Sequence, residues 1–375
     1  NQKTELFSYK IPLDEAIKCH HIDFANYIIN NHLNTFDQNS IVSICLKYYN
    51  FHFLNGELIN ENLFLDLIKY GNIQLISIFL KEKSIDVNKA EVKVADKENH
   101  FRILDKKEEI NSAYEDEDID VNYIVKEIKS ALFIAVKKCH SEIVKLLLSF
   151  NNIDVNFPYK FLSYDWSYGE IEKITKTPLY MAVENADIEI VKLLLMNDKI
   201  DINAQYKYDK SIGDMNLYCK TDDNYRLKQE KERITPLYMA VENESIEIVK
   251  LLLTNDKIDP NIQFLIYYSD EFRTCADTGY GYIYIKKEEK PAFYLAIEYG
   301  NIEIIKLLVK NDKIDINVPF ISNKISNRIE GLDFEDRDEY ISEIIKKDWE
   351  VSVNCNGDKE INPIDFAFDI GENEI

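Results

Sequence analysis

An exact nonapeptide repeat is the feature of this sequence that most constrains its fold. The nine letters TPLYMAVEN stand at 177–185 and again at 235–243. The match extends further, because ADIEIVKLLLMNDKIDIN follows the first copy and ESIEIVKLLLTNDKIDPN follows the second. Self-similarity of this extent indicates an array of repeated supersecondary units, which must stack on one another to share a continuous core.

Further copies of the unit are recognised when the alanine of YMA is used as a reference position. Successive reference residues are 47 to 71 residues apart, whereas the shared part, such as 178–203, is only 26 residues long. The variable material therefore lies between the copies. The reference residues of the seven units are Ala16, Leu67, Ala135, Ala182, Ala240, Ala296 and Ala367.

Local signals within one unit predict two short helices. Thr177 can accept hydrogen bonds from free backbone N–H groups as an N-cap, and Pro178 suits the first helical position, where its missing donor costs nothing. Asp187 can cap a second helix with a wider apolar stripe, and Asn197 favours its termination. Neither helix is long enough to bury its apolar face alone, so the units are expected to stack.

The unit resembles the ankyrin repeat, whose consensus runs T-P-L-H-x-A-A, then G-H-x-E-V-V-x-L-L-L, then D-V-N. TPLY begins two units, EIVKLLL occurs in three, and D-V-N ends two. The sequence departs from the family where tyrosine replaces the histidine of T-P-L-H, where an N-D-K loop replaces the helix-ending glycine, and where the spacing exceeds about 33 residues. The matching positions are TPLY at 177–180 and 235–238, EIVKLLL at 142–148, 189–195 and 247–253, D-V-N at 86–88 and 154–156, turn residues Gly71 and Gly300, and turn histidines His21 and His140; the replacing tyrosines are Tyr180, Tyr238 and Tyr294.

The resemblance implies an all-α fold, an ankyrin-type α-solenoid of about seven helix-pair units with enlarged β-hairpin loops. Residues 1–56 are expected to form a divergent ankyrin-like unit with irregular helices, and residues 57–375 the repeat array. The units of the array are expected near 62–88, 130–156, 177–203, 235–261, 291–317 and 362–375, with inserts at 89–129, 157–174, 204–232, 262–290 and 318–361.

Aromatic residues are concentrated in two of the inserts. In ankyrin proteins this junction is the β-hairpin that projects from the helices, so the resemblance implies lengthened hairpins here. The aromatic side chains either pack neighbouring hairpins together or form a partner-binding surface, where Tyr and Trp are favoured anchors. They include Tyr164 and Trp166 in the first hairpin, and Tyr280, Tyr282 and Tyr284, which share one face of a strand, in the second.

The insert 89–129 is mostly charged, and we expect a mobile loop there. Four of its carboxylates fall at positions 1, 3, 5 and 12 of a calcium-binding loop, but valine stands at position 6, where glycine is required. Acidic loops meet such spacing by chance, so we predict no metal site. The four carboxylates belong to Asp116, Asp118, Asp120 and Glu127.

A column of charged residues stands two positions after the reference residue. Its members are basic in the first three units and acidic in the last four. The resemblance places this column on or near the concave face built from first helices and hairpins. It represents either solvated charges or a bipolar groove that selects an oppositely patterned partner. The column consists of Lys18, Lys69, Lys137, Glu184, Glu242, Glu298 and Asp369.

Charge and composition exclude several classes of function. The net charge of −22 disfavours nucleic acid and anionic membrane surfaces as partners of the whole surface. No run approaches the ~20 apolar residues of a membrane helix. The six scattered cysteines lack a C-x-x-C pair and suit free thiols in a reducing compartment, which favours a cytoplasmic location.

No catalytic motif or cofactor-binding motif is found. We therefore expect a non-enzymatic scaffold that binds a protein partner through its concave face and extended hairpins. Two alternatives remain open at this point, an architectural segment of a cytoskeletal or axonemal assembly and a regulatory region of a longer enzyme. The last unit stops where its second helix should begin, so we interpret the sequence as an excerpt of a longer protein.

Overall fold

A computed structural model describes most of the repeat array and the hairpins between its units. Toward the tips of the hairpins only the backbone is described. The expected unit at 362–375 and the insert 318–361 beyond residue 330 lie outside the described part. The described residues are 13–19, 21, 23–25, 27–28, 44–45, 47–48, 61–82, 86–95, 102–103, 123–165, 169–213, 225–273, 280–318 and 320–330.

Five pairs of short helices form the described part of the array, and each pair coincides with a repeat unit. Before them, helical residues around Leu13, Ala25 and Ile44 form a small separate core. The pairs are α1 (Glu61–Tyr70) with α2 (Ile73–Glu82), α3 (Ala131–Lys137) with α4 (Ser141–Leu148), α5 (Pro178–Glu184) with α6 (Ile188–Leu195), α7 (Pro236–Glu242) with α8 (Ile246–Leu253), and α9 (Ala292–Glu298) with α10 (Ile302–Val309).

The helices begin where the sequence predicts. The backbone N–H of Tyr180 donates to the Thr177 hydroxyl at 3.2 Å, and Pro178 occupies the first turn. The backbone N–H of Ile190 donates to the Asp187 carboxylate at 3.0 Å and caps the second helix. These caps satisfy donors that have no partner inside the helix, so they fix the start of both helices of the unit.

The turn between the two helices of each unit places one residue in the left-handed region. Glycine occupies this position in two units, with φ of 78° at Gly71 and 63° at Gly300. In the other three units Cys139, Ala186 and Glu244 adopt φ of 56°, 54° and 51°. A residue with a Cβ is strained in this conformation, so these three turns carry a local cost that the packing of the unit offsets.

The core is one continuous cluster that runs through all five helix pairs. The reference alanines Ala135, Ala182, Ala240 and Ala296 are fully buried, which allows successive first helices to approach closely. The second helices contribute leucines such as Leu194, which is also fully buried. Each unit therefore completes its core only with its neighbours, as expected for a stacked array.

A ladder of asparagines links each unit to the next. In each of the four links, the amide nitrogen donates to a backbone carbonyl of the following unit at 2.7 to 2.8 Å, and the amide oxygen accepts from a backbone N–H of that unit at 2.6 to 3.0 Å. Asn88 contacts Asn152 and Asp154, Asn156 contacts Lys199 and Asp201, Asn203 contacts Lys257 and Asp259, and Asn261 contacts Lys313 and Asp315.

The inserts form hairpins that join edge to edge into one antiparallel sheet. Ten strands are described, in the order β10-β9-β8-β7-β6-β5-β4-β3-β1-β2. Neighbours in the sheet come both from the same hairpin and from successive inserts. The strands are β1 (Ala90–Ala95), β2 (Arg102–Ile103), β3 (Tyr123–Ser130), β4 (Tyr159–Asp165), β5 (Glu170–Lys176), β6 (Tyr206–Gly213), β7 (Tyr225–Ile234), β8 (Phe264–Arg273), β9 (Tyr280–Lys290) and β10 (Ile321–Glu330).

The expectation of an all-α fold is therefore wrong. The hairpins do not remain separate loops, because the second strand of each insert pairs with the first strand of the next, as β5 does with β6 and β7 with β8. The insert 89–129, for which we expected a mobile loop, contributes strands to this sheet at its described ends. The fold is a repeat solenoid whose helices and whose sheet run side by side along the array.

Candidate functional site

Strand pairing assigns the side chains of the sheet to two faces. Residues directly opposite each other on neighbouring strands share a face, and successive residues of one strand alternate between faces. We define the inner face as the side that carries Tyr206 and Phe264, and the outer face as the side that carries Lys207 and Leu265. The base of the inner face lies against the first helices of the units, and we refer to these helices and the inner face together as the concave surface, the name that the family's arrangement suggests.

Stacked aromatic rings join the first helices to the inner face. Tyr180 of α5 stacks on Tyr206 of β6, with ring centroids 5.0 Å apart and an interplanar angle of 16°. Tyr238 of α7 stacks in the same way on Phe264 of β8, at 4.3 Å and 18°. Burial, followed by the charge of the nearby Glu184, raises the pKa of the Tyr180 hydroxyl. The tyrosine that replaces the family's histidine is thus explained by its contact with the enlarged hairpin.

Lysines at the base of two hairpins connect these rings to the charged column. Lys176 Nζ binds the Glu184 carboxylate at 2.7 and 2.9 Å and lies 5.2 Å from the centroid of the Tyr206 ring. Two units later, Lys290 Nζ binds Glu298 at 2.5 Å and lies 5.8 Å from the centroid of the Phe264 ring. Each lysine therefore neutralises one acidic member of the column and covers an aromatic ring.

The basic members of the column have contacts of a different kind. Lys69 binds Asp66 at 2.9 Å and Glu91 of β1 at 2.7 Å. Burial opposes the charge on both partners, but their attraction outweighs it, so the pKa of Lys69 is raised and that of Glu91 is lowered. Lys137 lies 5.9 Å from the centroid of the Tyr159 ring, and burial and neighbouring lysines lower its pKa. Lys18 pairs with its helical neighbour Glu15, at 3.0 Å.

The lysine contact is interrupted at one unit. Ile234 occupies the position that is Lys176 and Lys290 in the neighbouring units. Within the part of the chain that the structure describes, the Glu242 carboxylate consequently has no hydrogen bond or ion pair. Burial and the charge of Glu232 raise the pKa of Glu242, although Lys290 opposes this shift. At the concave surface, the unneutralised carboxylate of Glu242 thus lies near that of Glu232, whose pKa is also raised by burial and by the charge of Glu230.

The hairpin aromatics that the sequence singles out do not share one surface. Tyr284 lies on the inner face, where its ring contacts Tyr268 edge to face with centroids 5.7 Å apart. Tyr164 lies on the outer face. Trp166 and Asp369 are outside the described residues, as are the side chains of Tyr280 and Tyr282, whose backbones belong to β9.

The four carboxylates with the spacing of a calcium-binding loop are only partly described. Asp116, Asp118 and Asp120 lie outside the described residues. The Glu127 carboxylate accepts a hydrogen bond from the Tyr159 hydroxyl at 3.0 Å, and Lys129 binds it at 2.5 Å. Among the described residues, no group of three or more His, Cys, Asp or Glu side chains could hold a metal ion.

A stack of helix pairs with a sheet of hairpins beside it defines a repeat solenoid. Comparison with known families agrees, because the model for ankyrin repeats (3 copies) matches residues 106–206 and 215–320, more than half of the chain. The chain belongs to the ankyrin-repeat family, which confirms the resemblance found in the sequence. Ankyrin repeats are in general protein–protein interaction modules and are typically non-enzymatic.

Solved structures of ankyrin repeat domains are similar to the chain at low sequence identity. The ankyrin repeat domain of human ASB11 is 14% identical, with a TM-score of 0.33, over 81% of this chain and 85% of that one. The ankyrin repeat domain of Bcl-3, a member of the IkappaB protein family, is 14% identical, with a TM-score of 0.35, over 80% of this chain and 97% of that one. No curated protein sequence matches the chain significantly. None of the described helices has the length and apolar composition that a bilayer crossing requires.

Proposed function

We propose that the chain is a non-enzymatic cytoplasmic scaffold that binds a protein partner through its concave surface, made of α1, α3, α5, α7, α9 and the inner face of the sheet. The observation that carries this proposal is the set of contacts that join helices to hairpins, such as Tyr180 with Tyr206 and Lys176 with Glu184. A surface fixed in advance loses little conformational freedom on binding, so its contacts contribute more fully to affinity.

The exposed Glu242 is the proposed centre of recognition. Its carboxylate is partly desolvated and lacks the lysine that neutralises the equivalent residue in the next unit, Glu298. A partner that inserts a lysine or arginine beside it would supply the missing charge and would lie close to the stacked Tyr238 and Phe264 rings. The proposed contact residues of the concave surface are Lys69, Lys137, Glu184, Glu242, Glu298, Tyr280, Tyr282 and Tyr284, together with Lys18 and with Trp166 of the insert 157–174.

A matched pair of charge reversals tests the proposal. Glu242→Lys reverses the central charge of the concave surface, whereas Glu247→Lys makes the same change on α8, at an exposed position of a second helix. Each immobilised protein is incubated with an extract of its own cells, and the captured proteins are quantified by mass spectrometry. We expect Glu242→Lys to release a specific protein that the unmodified protein and Glu247→Lys both retain.

An unchanged set of captured proteins would refute the concave-surface proposal. Thermal unfolding of both variants serves as the control. If a variant loses the partner because it is unfolded, its melting temperature will be lowered, and this would be seen for either variant. Both positions are exposed, so both variants are expected to fold.

A further inference from the structure

Among the strand side chains that the structure describes, the exposed ones are all of one kind and all on one face. Among the strand residues whose side chains the structure describes, four are exposed, and each is a lysine on the outer face. They lie on four consecutive strands, β4 to β7, with one lysine on each. The four lysines are Lys160, Lys173, Lys207 and Lys231.

Register places the four lysines in a regular zigzag. Lys160 and Lys207 stand in one cross-strand row, separated by Thr175. Lys173 and Lys231 stand in a second row, two residues further along the strands. With strands about 4.8 Å apart and about 6.7 Å per residue pair, consecutive lysines are attached roughly 8 Å from one another.

The rest of the outer face does not neutralise these charges. Its two described carboxylates are already paired with other residues, Asp209 with Arg233 at 2.6 Å and Glu289 with Lys287 at 2.8 Å. The described side chains of β3 to β9 on this face thus comprise seven basic and two acidic residues, in a chain whose net charge is −22. The outer face is therefore basic, although the molecule as a whole is acidic.

Apolar groups lie between the lysines. Leu162 and Ile171 are half-buried on the outer face. Leu162 lies directly opposite Lys173, and Ile171 lies two residues before Lys173 on the same strand. On β7 the ammonium group of Lys231 lies 5.4 Å from the centroid of the Tyr267 ring. The face can therefore bury apolar stems of a partner while its ammonium groups contact charges.

We propose that the outer face binds an acidic, extended polypeptide segment that carries Asp or Glu at alternate positions. A segment that crosses the strands along the zigzag presents alternate side chains about 6.7 Å apart, and flexible lysine side chains attached roughly 8 Å apart can reach them. The lysines attract such a segment within about 10 Å at ordinary ionic strength. A nucleic acid fits less well, because its charge continues past the lysines and meets the acidic remainder of the molecule. This surface is separate from the concave surface and does not depend on it.

A labelled peptide of about ten residues with alternating Glu and Thr is the probe. Its binding to the whole chain is measured by fluorescence anisotropy at about 50 mM and about 300 mM salt. Replacing Lys160, Lys173, Lys207 and Lys231 together by Gln is expected to weaken binding at low salt at least about tenfold, since four screened ion pairs are lost. High salt is expected to weaken binding of the unmodified protein and to leave the variant little changed.

A second quadruple variant controls for the change in net charge. Lys145, Lys192, Lys250 and Lys306 are exposed lysines on second helices, and their joint replacement by Gln removes the same charge from another surface. We expect this control to bind the peptide within about twofold of the unmodified protein. Circular dichroism of both variants establishes that they are folded.

Carbodiimide cross-linking gives a readout on the unmodified protein, independent of any variant. The linked peptide is expected on the outer-face lysines and not on those of the second helices. The proposal is overturned if the peptide does not bind, if the control variant loses as much affinity, if cross-links map elsewhere, or if a single-stranded oligonucleotide of equal length binds more tightly through the same lysines.

Discussion

Removing one link of the asparagine ladder tests how the units are held together. Asn203 donates to the Lys257 carbonyl at 2.8 Å and accepts from the Asp259 N–H at 3.0 Å. Each hydrogen bond contributes about 0.5–1.5 kcal/mol net, and because the site is partly exposed, water replaces part of the loss. We therefore expect Asn203→Ala to lower the free energy of unfolding by about 1–2 kcal/mol. Asn203→Asp keeps the acceptor, but it turns a carboxylate oxygen toward the Lys257 carbonyl in place of the donor, so it is expected to cost at least as much as Asn203→Ala.

Urea unfolding followed by circular dichroism measures both variants. Because the contact joins two neighbouring units, its loss should also reduce the cooperativity between them. A broader transition, or a lower slope of free energy against urea, is the sign of that uncoupling. A loss below about 0.3 kcal/mol for Asn203→Ala would refute the reasoning, because it would mean that the apolar core alone couples the units.

Three further changes test the core, the turns and the interrupted lysine contact. Leu194→Ala removes a fully buried side chain and should cost about 2–5 kcal/mol in thermal or urea unfolding; neutrality would place the leucine outside the core. Ala186→Gly relieves a left-handed alanine and should raise stability by about 1 kcal/mol, whereas Gly300→Ala should lower it by a similar amount, and equal signs would contradict the backbone argument. Ile234→Lys should pair with Glu242 and add roughly 0.2–1 kcal/mol of electrostatic stability relative to Ile234→Met. The pKa of Glu242 is raised in the folded state, so its ionised carboxylate destabilises that state at pH values above this pKa. The stability advantage of lysine over methionine is therefore expected at pH 7. It should disappear as the pH falls through the pKa of Glu242. A pH-independent difference would exclude the pairing.

The helix pairs could be predicted because their determinants are local. Thr177 and Asp187 lie within a few residues of the N–H groups that they cap, and the apolar stripe of α6 repeats at the helical period. Repetition of the same signals in several units made the family resemblance specific. The positions of Ala186 and Glu244 in left-handed turns were less evident, since neither residue favours that conformation.

The sheet could not be predicted in the same way, because its pairing joins strands of different inserts. The sequence of β7, YRLKQEKERI, lacks the alternation of apolar and polar residues that marks a half-buried strand. Its backbone groups pair with β6 and β8, and that pairing requires only that the stacked units bring successive hairpins side by side. Tertiary context, and not the local pattern, decides the strand.

The charged column shows the same limit at the level of single residues. Its members were found by their spacing from the reference alanine, but their partners were not. Lys176 is eight residues before Glu184 and meets it only because the hairpin packs on the helix. Lysine precedes the N-cap of the first helix in three units, as Lys129, Lys176 and Lys290, and isoleucine stands there at 234. This difference was the available signal, and it can be interpreted only when the hairpin strands have been placed.

A continuous sheet changes what a hairpin insert can tolerate. If the insert 262–290 were an isolated loop, trimming it would change the free energy of unfolding little, because each doubling of loop length costs only about 0.6 kcal/mol. In the structure, however, β8 also pairs with β7, and β9 also pairs with β10. Removing the hairpin would expose two new strand edges and leave the Tyr238 ring without Phe264. The enlarged hairpins therefore hold the array together while they shape its surfaces, and binding by this chain has to be separated from stability with point substitutions on one face.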